Sequence, residues 1–276
     1  MRFLSDDQAK DTRPGDRQLE VIAAGLPRCA TSSLQAALES PALGLSPCMH
    51  MARVAPHADR LQLCLDAMRE PDRARRHKLL RRLFAGCAAT CDFPGVVFTA
   101  DLMDMHPGAA VVLNQRGSAR EWAASYAGLQ FFAGRTYLLT CLLWRTDRLH
   151  WRVHQVAGPM LGRMAGGCAF PSEEAYEGYN AWVREQAALR GRQVLEFRAE
   201  DGYPALCEFL GRPAPAPGVK YPHLNDAGSI KLLKAVLVVR GLVSWAALLG
   251  GLWASWIYVP SLVQEAVSWV QRLLWT

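Results

Sequence analysis

Hydrophobic positions between residues 18 and 230 follow two alternating periods. The mainly apolar segment LEVIAAG (19–25) predicts a buried strand, and the next segment, 31–40, carries Leu34, Ala37 and Leu38 on one helical face. The alternation continues, with strands predicted over 87–91, 109–114 and 193–198, and helices over 53–69, 73–85, 97–105, from 119, and over 136–165, 172–190 and 204–211. Alternating strands and helices are typical of an α/β domain with a parallel sheet.

The C-terminal region, 231–276, has a different pattern. Residues 241–263 (GLVSWAALLGGLWASWIYVPSLV) contain no charged residue, and this length suffices to cross a hydrocarbon core of about 30 Å. We therefore expect a transmembrane helix that anchors the chain in a membrane. Pro260 and the amphipathic sequence around it leave open a helix that lies on the membrane surface, and a buried helix of a soluble core is a third alternative.

The charges around this segment predict its orientation. Lys231, Lys234 and Arg240 precede it, so the positive-inside rule places the N-terminal domain in the cytoplasm. Small residues such as Gly250 and Gly251 form a face that permits a homodimer through the anchor. Residues 1–17 are rich in charge, have no apolar signal-peptide core, and are expected to be flexible.

Composition narrows the class of partner. A hydrophobic fraction of 51% and a mean hydropathy of +0.01 exclude a disordered chain. The net charge of +6 suggests an anionic partner, but no run of five or six like charges and no aromatic-basic motif indicates nucleic acid. A phosphorylated small molecule fits the same charge. The eight cysteines have no paired metal-ligand spacing, and His150 and His154 have no evident third ligand, so we expect reduced thiols and no metal.

The segment GLPRCATS (25–32) lies between the first predicted strand and helix. Backbone N–H groups and the positive end of the helix dipole converge there on an anion. A nucleotide-hydrolysing loop would carry glycine and lysine where Ala30 and Thr31 stand, so hydrolysis of ATP or GTP is not expected. Arg28, with the hydroxyls of Thr31, Ser32 and Ser33, suits metal-free binding of a phosphate or sulfate. An ordinary N-capped helix is the alternative.

Several motifs together resemble one family. VIAAGLPRCATSSLQAALE resembles the 5′-phosphosulfate loop of sulfotransferases, in particular the branch that reads GLPRTGTSSL. LGLSPCMHM (43–51), CDFPGVVF (91–98), PALCEFLGRPAP and YPHLND (221–226) resemble later motifs of that branch, in the same order. The resemblance implies a P-loop-like three-layer α/β/α fold with a central parallel sheet over 18–230. It also implies transfer of a sulfuryl group from 3′-phosphoadenosine 5′-phosphosulfate (PAPS) to a hydroxyl of a small acceptor, and the membrane anchor suggests that this acceptor is lipophilic.

The resemblance also assigns residues to the nucleotide. The 5′-phosphosulfate would contact Pro27, Arg28, Cys29, Ala30, Thr31, Ser32 and Ser33. Arg28 would stabilise charge on the leaving phosphate without Mg²⁺. Sulfotransferases hold the 3′-phosphate with an arginine at a strand end and a serine eight residues later, whereas Arg116 and Ser125 are nine residues apart. Gly117-Ser118 stands where the family usually has Asp-Pro or Asn-Pro after the arginine. The extra residue is either absorbed before the helix or alters the 3′-phosphate site.

Asp92 is the first candidate for the catalytic base. It follows a predicted short strand, where related enzymes place a histidine or an acid before proline, and a helix cap is the alternative. His50 is the second candidate, as base or as a group that orients the acceptor, and a hydrogen-bonded core histidine is its alternative. Two further functions stay open: a repurposed fold acting on another phosphorylated or diphosphate substrate, for example in isoprenoid cyclisation, and a non-catalytic membrane scaffold.

Overall fold

A parallel sheet organises the domain. The computed structural model describes residues 3–4, 18–224 and 226–274. In that part of the chain five parallel strands pair in the order β2-β3-β1-β4-β5. Their bounds are β1 (Val21–Ala23), β2 (Cys48–Met49), β3 (Ala89–Thr90), β4 (Ala110–Asn114) and β5 (Val194–Phe197). The α/β class with a central parallel sheet is confirmed. The two-residue strand β2 was not predicted, because it is too short to show a period.

Eleven α-helices are found among the described residues. They are α1 (Thr31–Glu39), α2 (Met51–Val54), α3 (Ala58–Arg69), α4 (Arg73–Leu83), α5 (Thr99–Met105), α6 (Ala119–Tyr126), α7 (Arg135–Thr140), α8 (Arg145–Met164), α9 (Glu173–Ala188), α10 (Gly202–Phe209) and α11 (Asp226–Leu274). The region 136–165, which was expected to be helical, forms two helices, since a turn at 141–144 separates α7 from α8. The indole N–H of Trp144 in that turn donates to Ser244 Oγ of α11 (3.0 Å), so packing overrides the local helical pattern.

Helices cover both faces of the sheet. Ile22 and Val111 face a core that includes Leu65 of α3, Val153 of α8 and Tyr179 of α9. Val21, Ala23 and Val112 face a second core, formed with Leu34 and Leu38 of α1 and Leu206 of α10. A strand buried on both faces needs a continuous hydrophobic run, which β1 has over Val21–Ala23. This arrangement forms three α/β/α layers.

The strand order brings three loops to one edge of the sheet. The central strand β1 lies between β3 and β4, and the carboxyl ends of parallel strands lie at the same edge. The residues that follow these strands, including Gly25, Asp92 and Arg116, therefore come together. Open α/β sheets bind ligands at such an edge, where the connections diverge to opposite sides.

Helix α11 begins against the domain and then leaves it. Ile230, Leu233 and Leu237 are buried against Phe132 and Tyr137. Beyond them the large apolar side chains are mostly exposed. Among the described residues, this helix alone is long and apolar enough to cross a membrane, over Gly228–Arg272 with a mean hydropathy of 1.9 in its most apolar window.

The expected span 241–263 lies within α11, and Pro260 does not end the helix. The alternative of a buried core helix does not fit its exposed side chains. The domain boundary at 230 stays a prediction. The expectation of a flexible segment over 1–17 falls outside the described residues, apart from 3–4.

Candidate functional site

Asn114 fixes the loop that follows β1. The Gly25 amide donates to Asn114 Oδ1 (3.0 Å), and Asn114 Nδ2 donates to the carbonyl oxygen of Cys29 (2.9 Å). Asn114 is the last residue of β4, beside β1, and is buried. A Cβ at Gly25 would lie 1.9 Å from the Asn114 carbonyl oxygen, so this position requires glycine. One side chain therefore ties both ends of the loop to the neighbouring strand.

Further side chains from the same region hold the rest of the loop. Three consecutive loop carbonyl oxygens accept hydrogen bonds: Pro27 from Trp122 Nε1 (2.9 Å), Arg28 from Arg116 Nε (2.7 Å) and Cys29 from Asn114 Nδ2 (2.9 Å). Each of these carbonyl oxygens, which carries a partial negative charge, is therefore paired with a hydrogen-bond donor. Oxygen atoms satisfied in this way repel a bound anion less than bare carbonyls would.

The backbone of this site is strained. Among the described residues, the non-glycine residues with a left-handed backbone are Arg28 (φ 77°), Ala30 (φ 53°) and Asp92 (φ 63°). A left-handed backbone costs an alanine about 1 kcal/mol, and such residues concentrate at functional sites. Ala30 stands where the resembling loop has glycine, and it adopts the conformation that favours glycine.

The first turn of α1 carries hydroxyl groups with different partners. Ser32 is buried, and its Oγ has no hydrogen-bond partner among the described residues. An unsatisfied buried hydroxyl at a helix N-terminus suits a ligand oxygen. The Ser33 hydroxyl instead accepts the amide of Leu224 (3.0 Å), so it fixes the C-terminal loop. Burial raises the pKa of the Cys29 thiol to about 12, so this thiol stays neutral beside the anion site.

Two arginines meet at one serine. Arg28 Nε lies 3.1 Å from Ser125 Oγ, and Arg116 Nη2 lies 3.4 Å from the same atom. The Arg116 amide donates to Tyr176 Oη (2.9 Å), which fixes the end of β4. Helix α6 follows the loop after β4, and its N-cap, Ser118, accepts the amide of Glu121 (3.2 Å). The structure thus brings Arg116 and Ser125 together with Arg28.

Asp92 and His50 form a buried pair beside α1. His50 Nε2 lies 3.3 Å from Asp92 Oδ2 and 3.3 Å from Thr31 Oγ1. His50 Nδ1 accepts the Ala52 amide (3.0 Å) as the N-cap of α2, so a neutral His50 carries its proton on Nε2. Nε2 is then a donor, and the Asp92 carboxylate is the acceptor. In this tautomer Asp92 can take a proton, and His50 orients and stabilises its carboxylate.

A cavity of about 600 Å³ opens beside these groups. Among the candidate residues, Pro27, Arg28, Thr31, Ser32, His50 and Asp92 line it. Much of the remaining wall is apolar and includes Phe93, Tyr126, Leu129, Phe132, Leu161 and Phe170. Ile230, Leu233 and Leu237 of α11 complete the wall. The other candidates, Cys29, Ala30, Ser33, Arg116 and Ser125, shape the loop and its cationic side.

The structure also tests the histidine pair for metal binding. No group of three His, Cys, Asp or Glu side chains within 3–4, 18–224 and 226–274 is arranged to hold a metal ion. His150 and His154 are neighbours on α8 and contact each other, with Nε2 atoms 3.3 Å apart.

Sequence reasoning missed Asn114, Trp122 and Tyr176. Each fixes the loop or the end of β4 through a hydrogen bond. Only Asn114 carried a signal, as a polar residue at the end of an apolar strand. The other two contacts depend on tertiary packing.

Comparisons with known proteins define the class. The family model described as "Sulfotransferase domain" matches residues 20–230, and the chain belongs to this family. The chain is also similar to "Ava biosynthesis cluster protein M" of Aspergillus versicolor. The two are 26% identical over 227 residues, which cover 75% of this chain and 80% of that protein.

Proposed function

We propose that this protein transfers a sulfuryl group from PAPS to a hydroxyl of a lipophilic small molecule at a membrane. One observation carries the proposal. The Asp92–His50 pair and the anion-binding loop lie on the wall of the same largely apolar cavity. A proton acceptor, an anion cradle and an apolar pocket are the three parts that such a transfer needs.

The residues of the loop suit the donor. The Ser32 hydroxyl, the α1 N-terminus and Arg28 would hold the 5′-phosphosulfate. Arg116 and Ser125 would hold the 3′-phosphate, because the arginine supplies charge and the serine is already fixed between two guanidinium groups. Two cationic side chains match a donor that carries negative charge at two positions.

The transfer itself divides among three residues. Asp92 takes the proton of the acceptor hydroxyl as the new oxygen–sulfur bond forms and the bond between sulfur and the phosphate oxygen breaks. Arg28 stabilises the charge that develops on the departing phosphate. His50 is a positioning residue, since its Nε2–H holds the Asp92 carboxylate.

The cavity and α11 support a lipophilic acceptor. Aromatic and aliphatic side chains dominate the wall, and such walls favour apolar ligands. The same helix continues into the apolar span 241–263, for which we propose a membrane-crossing orientation with the catalytic domain in the cytoplasm. The name of the relative refers to a biosynthesis cluster, which supports a role in secondary metabolism.

Calorimetry with 3′-phosphoadenosine 5′-phosphate (PAP), the product nucleotide, tests the donor site. The full chain is used in detergent, because α11 contributes to the cavity wall. We expect binding near 1 μM, about −8 kcal/mol, that Arg28→Ala and Arg116→Ala abolish. Arg120→Ala, an exposed arginine on α6, is the matched control and should bind as the parent does. Absence of binding to the folded parent would overturn the proposal and favour the repurposed enzyme or the scaffold.

A further inference from the structure

A series of linked polar groups lies in the cavity wall formed by α7, α8 and α11, of which Tyr137 and Asp147 are buried and His150 and His154 half-buried. Asp147 is buried, and its carboxylate accepts hydrogen bonds from Tyr137 Oη (2.9 Å) and from Arg240, with which it also forms an ion pair. His150 Nδ1 lies 3.3 Å from Tyr137 Oη, and His154 Nε2 lies 3.3 Å from His150 Nε2. The proposed transfer uses none of these groups.

The hydrogen bonds that link these polar groups all run in one direction, from His154 toward Asp147. The single hydroxyl proton of Tyr137 is directed to Asp147, so the His150 contact requires a proton on His150 Nδ1. His150 Nε2 is then an acceptor, and His154 donates to it from Nε2. A neutral His154 therefore keeps a lone pair on Nδ1. Within 3–4, 18–224 and 226–274, no group donates to that atom.

Both imidazoles stay neutral near pH 7. Burial lowers the pKa of His154 to about 4, and burial together with the neighbouring His154 lowers that of His150. Phe132 stacks on His154, with ring centroids 6.0 Å apart and planes 14° apart, which fixes the orientation of the imidazole. The imidazole of His154 is therefore neutral and held in one orientation.

These linked polar groups line the same cavity as Asp92. Tyr137, Asp147, His150 and His154 all contribute to the wall, among side chains that are mostly apolar. A hydrogen-bond acceptor in a largely apolar wall gives selectivity when a ligand supplies the donor. The wall thus carries a second polar point besides the Asp92 pair.

We propose that His154 Nδ1 binds a hydrogen-bond donor, a hydroxyl or an N–H, on the acceptor molecule at a position distinct from the hydroxyl that Asp92 deprotonates. The inference rests on the proposed function for the role of the cavity. It narrows the substrate class to elongated lipophilic alcohols that carry a second donor group. His154 sets specificity and takes no part in the transfer.

Matched pairs of 1-alkanols and α,ω-alkanediols with 8 to 14 carbons test this. Calorimetry on the full chain in detergent gives the affinity ratio of diol to alcohol at each length. Partition of the probes into detergent cancels when this ratio is compared between variants. The two equivalent ends of the diol alone give a statistical factor of two. At one chain length we expect the parent protein to favour the diol by about fivefold beyond that factor, which is the contribution of one neutral hydrogen bond.

Three variants locate the effect. His154→Phe should lose the diol preference and keep alcohol binding within twofold, whereas His154→Gln, which retains an acceptor, should keep the preference. Arg152→Gln, at an exposed position of α8 outside the cavity wall, is the matched control and should behave as the parent. If His154→Phe loses alcohol binding as well, His154→Leu replaces it under the same criterion.

Two results would overturn the inference: no diol preference in the parent at any length, or a preference that survives in the variant without an acceptor. PAP affinity, measured in the same samples, separates this failure from that of the proposed function. PAP binding without diol preference rejects only the role of His154. Diol preference without PAP binding rejects only the sulfotransferase reaction.

Discussion

Asn114 and Gly25 are in contact through backbone and side chain at once. The Gly25 amide donates to Asn114 Oδ1 (3.0 Å), and the Asn114 carbonyl oxygen lies where a Cβ of residue 25 would stand. The end of β4 thus fixes the position of the loop backbone where the loop leaves β1. Any side chain at residue 25 must push the loop away from the sheet.

Gly25→Ala should therefore remove nucleotide binding. The added methyl would lie 1.9 Å from a backbone oxygen that cannot move without breaking β4, so the loop must shift instead. We expect no detectable PAP binding by calorimetry, with the helical signal in circular dichroism retained. Gly108→Ala is the matched control, because a Cβ there meets nothing within 4 Å. Parent-like binding by Gly25→Ala would refute this view of the loop.

Ala30→Gly should stabilise the protein. Ala30 has φ 53° and ψ 31°, which glycine adopts without strain, so we expect the free energy of unfolding to rise by about 1 kcal/mol. The same substitution at Ala36, inside α1, should lower it by about 1 kcal/mol. Chemical denaturation of both variants measures the two changes. Equal signs would show that strain at residue 30 is not the cause.

Asp92→Asn should separate binding from transfer. The amide keeps the size of the side chain but cannot take a proton, so transfer from PAPS to 1-decanol should fall at least 100-fold. PAP affinity should stay within twofold of the parent. His50→Leu should have a smaller effect on the rate, because it removes only the positioning donor. A rate for Asp92→Asn near that of the parent would exclude this carboxylate as the base.

The Asp147–Arg240 pair should respond to mutation as a buried ion pair. Arg240→Ala leaves the Asp147 carboxylate without its cation, and we expect a loss of about 2 kcal/mol in the free energy of unfolding. Adding Asp147→Asn removes the uncompensated charge and should restore part of this loss. A double-mutant cycle by thermal or chemical denaturation measures the coupling. Simple additivity of the two changes would contradict the ion pair.

The Asp147–Arg240 pair should also make the free energy of unfolding depend on pH. Burial raises the pKa of Asp147 above 3.8, although Arg240 opposes the rise. The folded state then holds the proton more tightly than the unfolded state, so stability decreases as pH rises from 3.8 through the raised pKa. Arg240→Ala should extend this decrease to higher pH. The difference in unfolding free energy between parent and variant, followed from pH 4 to 8, should grow with pH, and a constant difference would argue against it.

Truncation should separate the two parts of α11. Trp245 Nε1 donates to the Leu139 carbonyl oxygen (2.9 Å), so contacts with the domain extend to residue 245. A chain ending at Trp245 should keep its thermal stability and no longer cosediment with phosphatidylcholine liposomes. A chain ending at Ile230 should lose stability as well, because Leu233 and Leu237 are buried. Liposome binding by the chain ending at Trp245 would show that the apolar segment is not the anchor.

The sequence predicted most of the sheet, because β1 and β4 are largely buried and consist of apolar residues except for Asn114 at the end of β4. It also located the loop, since the change from apolar strand to helix at Gly25–Thr31 is local. The hydrogen bonds of Asn114, Trp122 and Tyr176 were not predictable, because partners 60 to 95 residues away meet only after folding. The tautomer of His50 depends likewise on the Ala52 amide, which is known only once α2 is placed.

The three loop carbonyls bonded to Trp122, Arg116 and Asn114 have a kinetic consequence. Because the protein itself holds these oxygens, the loop is already ordered in the folded state. A ligand therefore binds without a further loss of loop conformational entropy. Association should then be limited by encounter rather than by rearrangement. Its rate constant should depend strongly on ionic strength, because the guanidinium groups of Arg28 and Arg116 attract the anionic ligand.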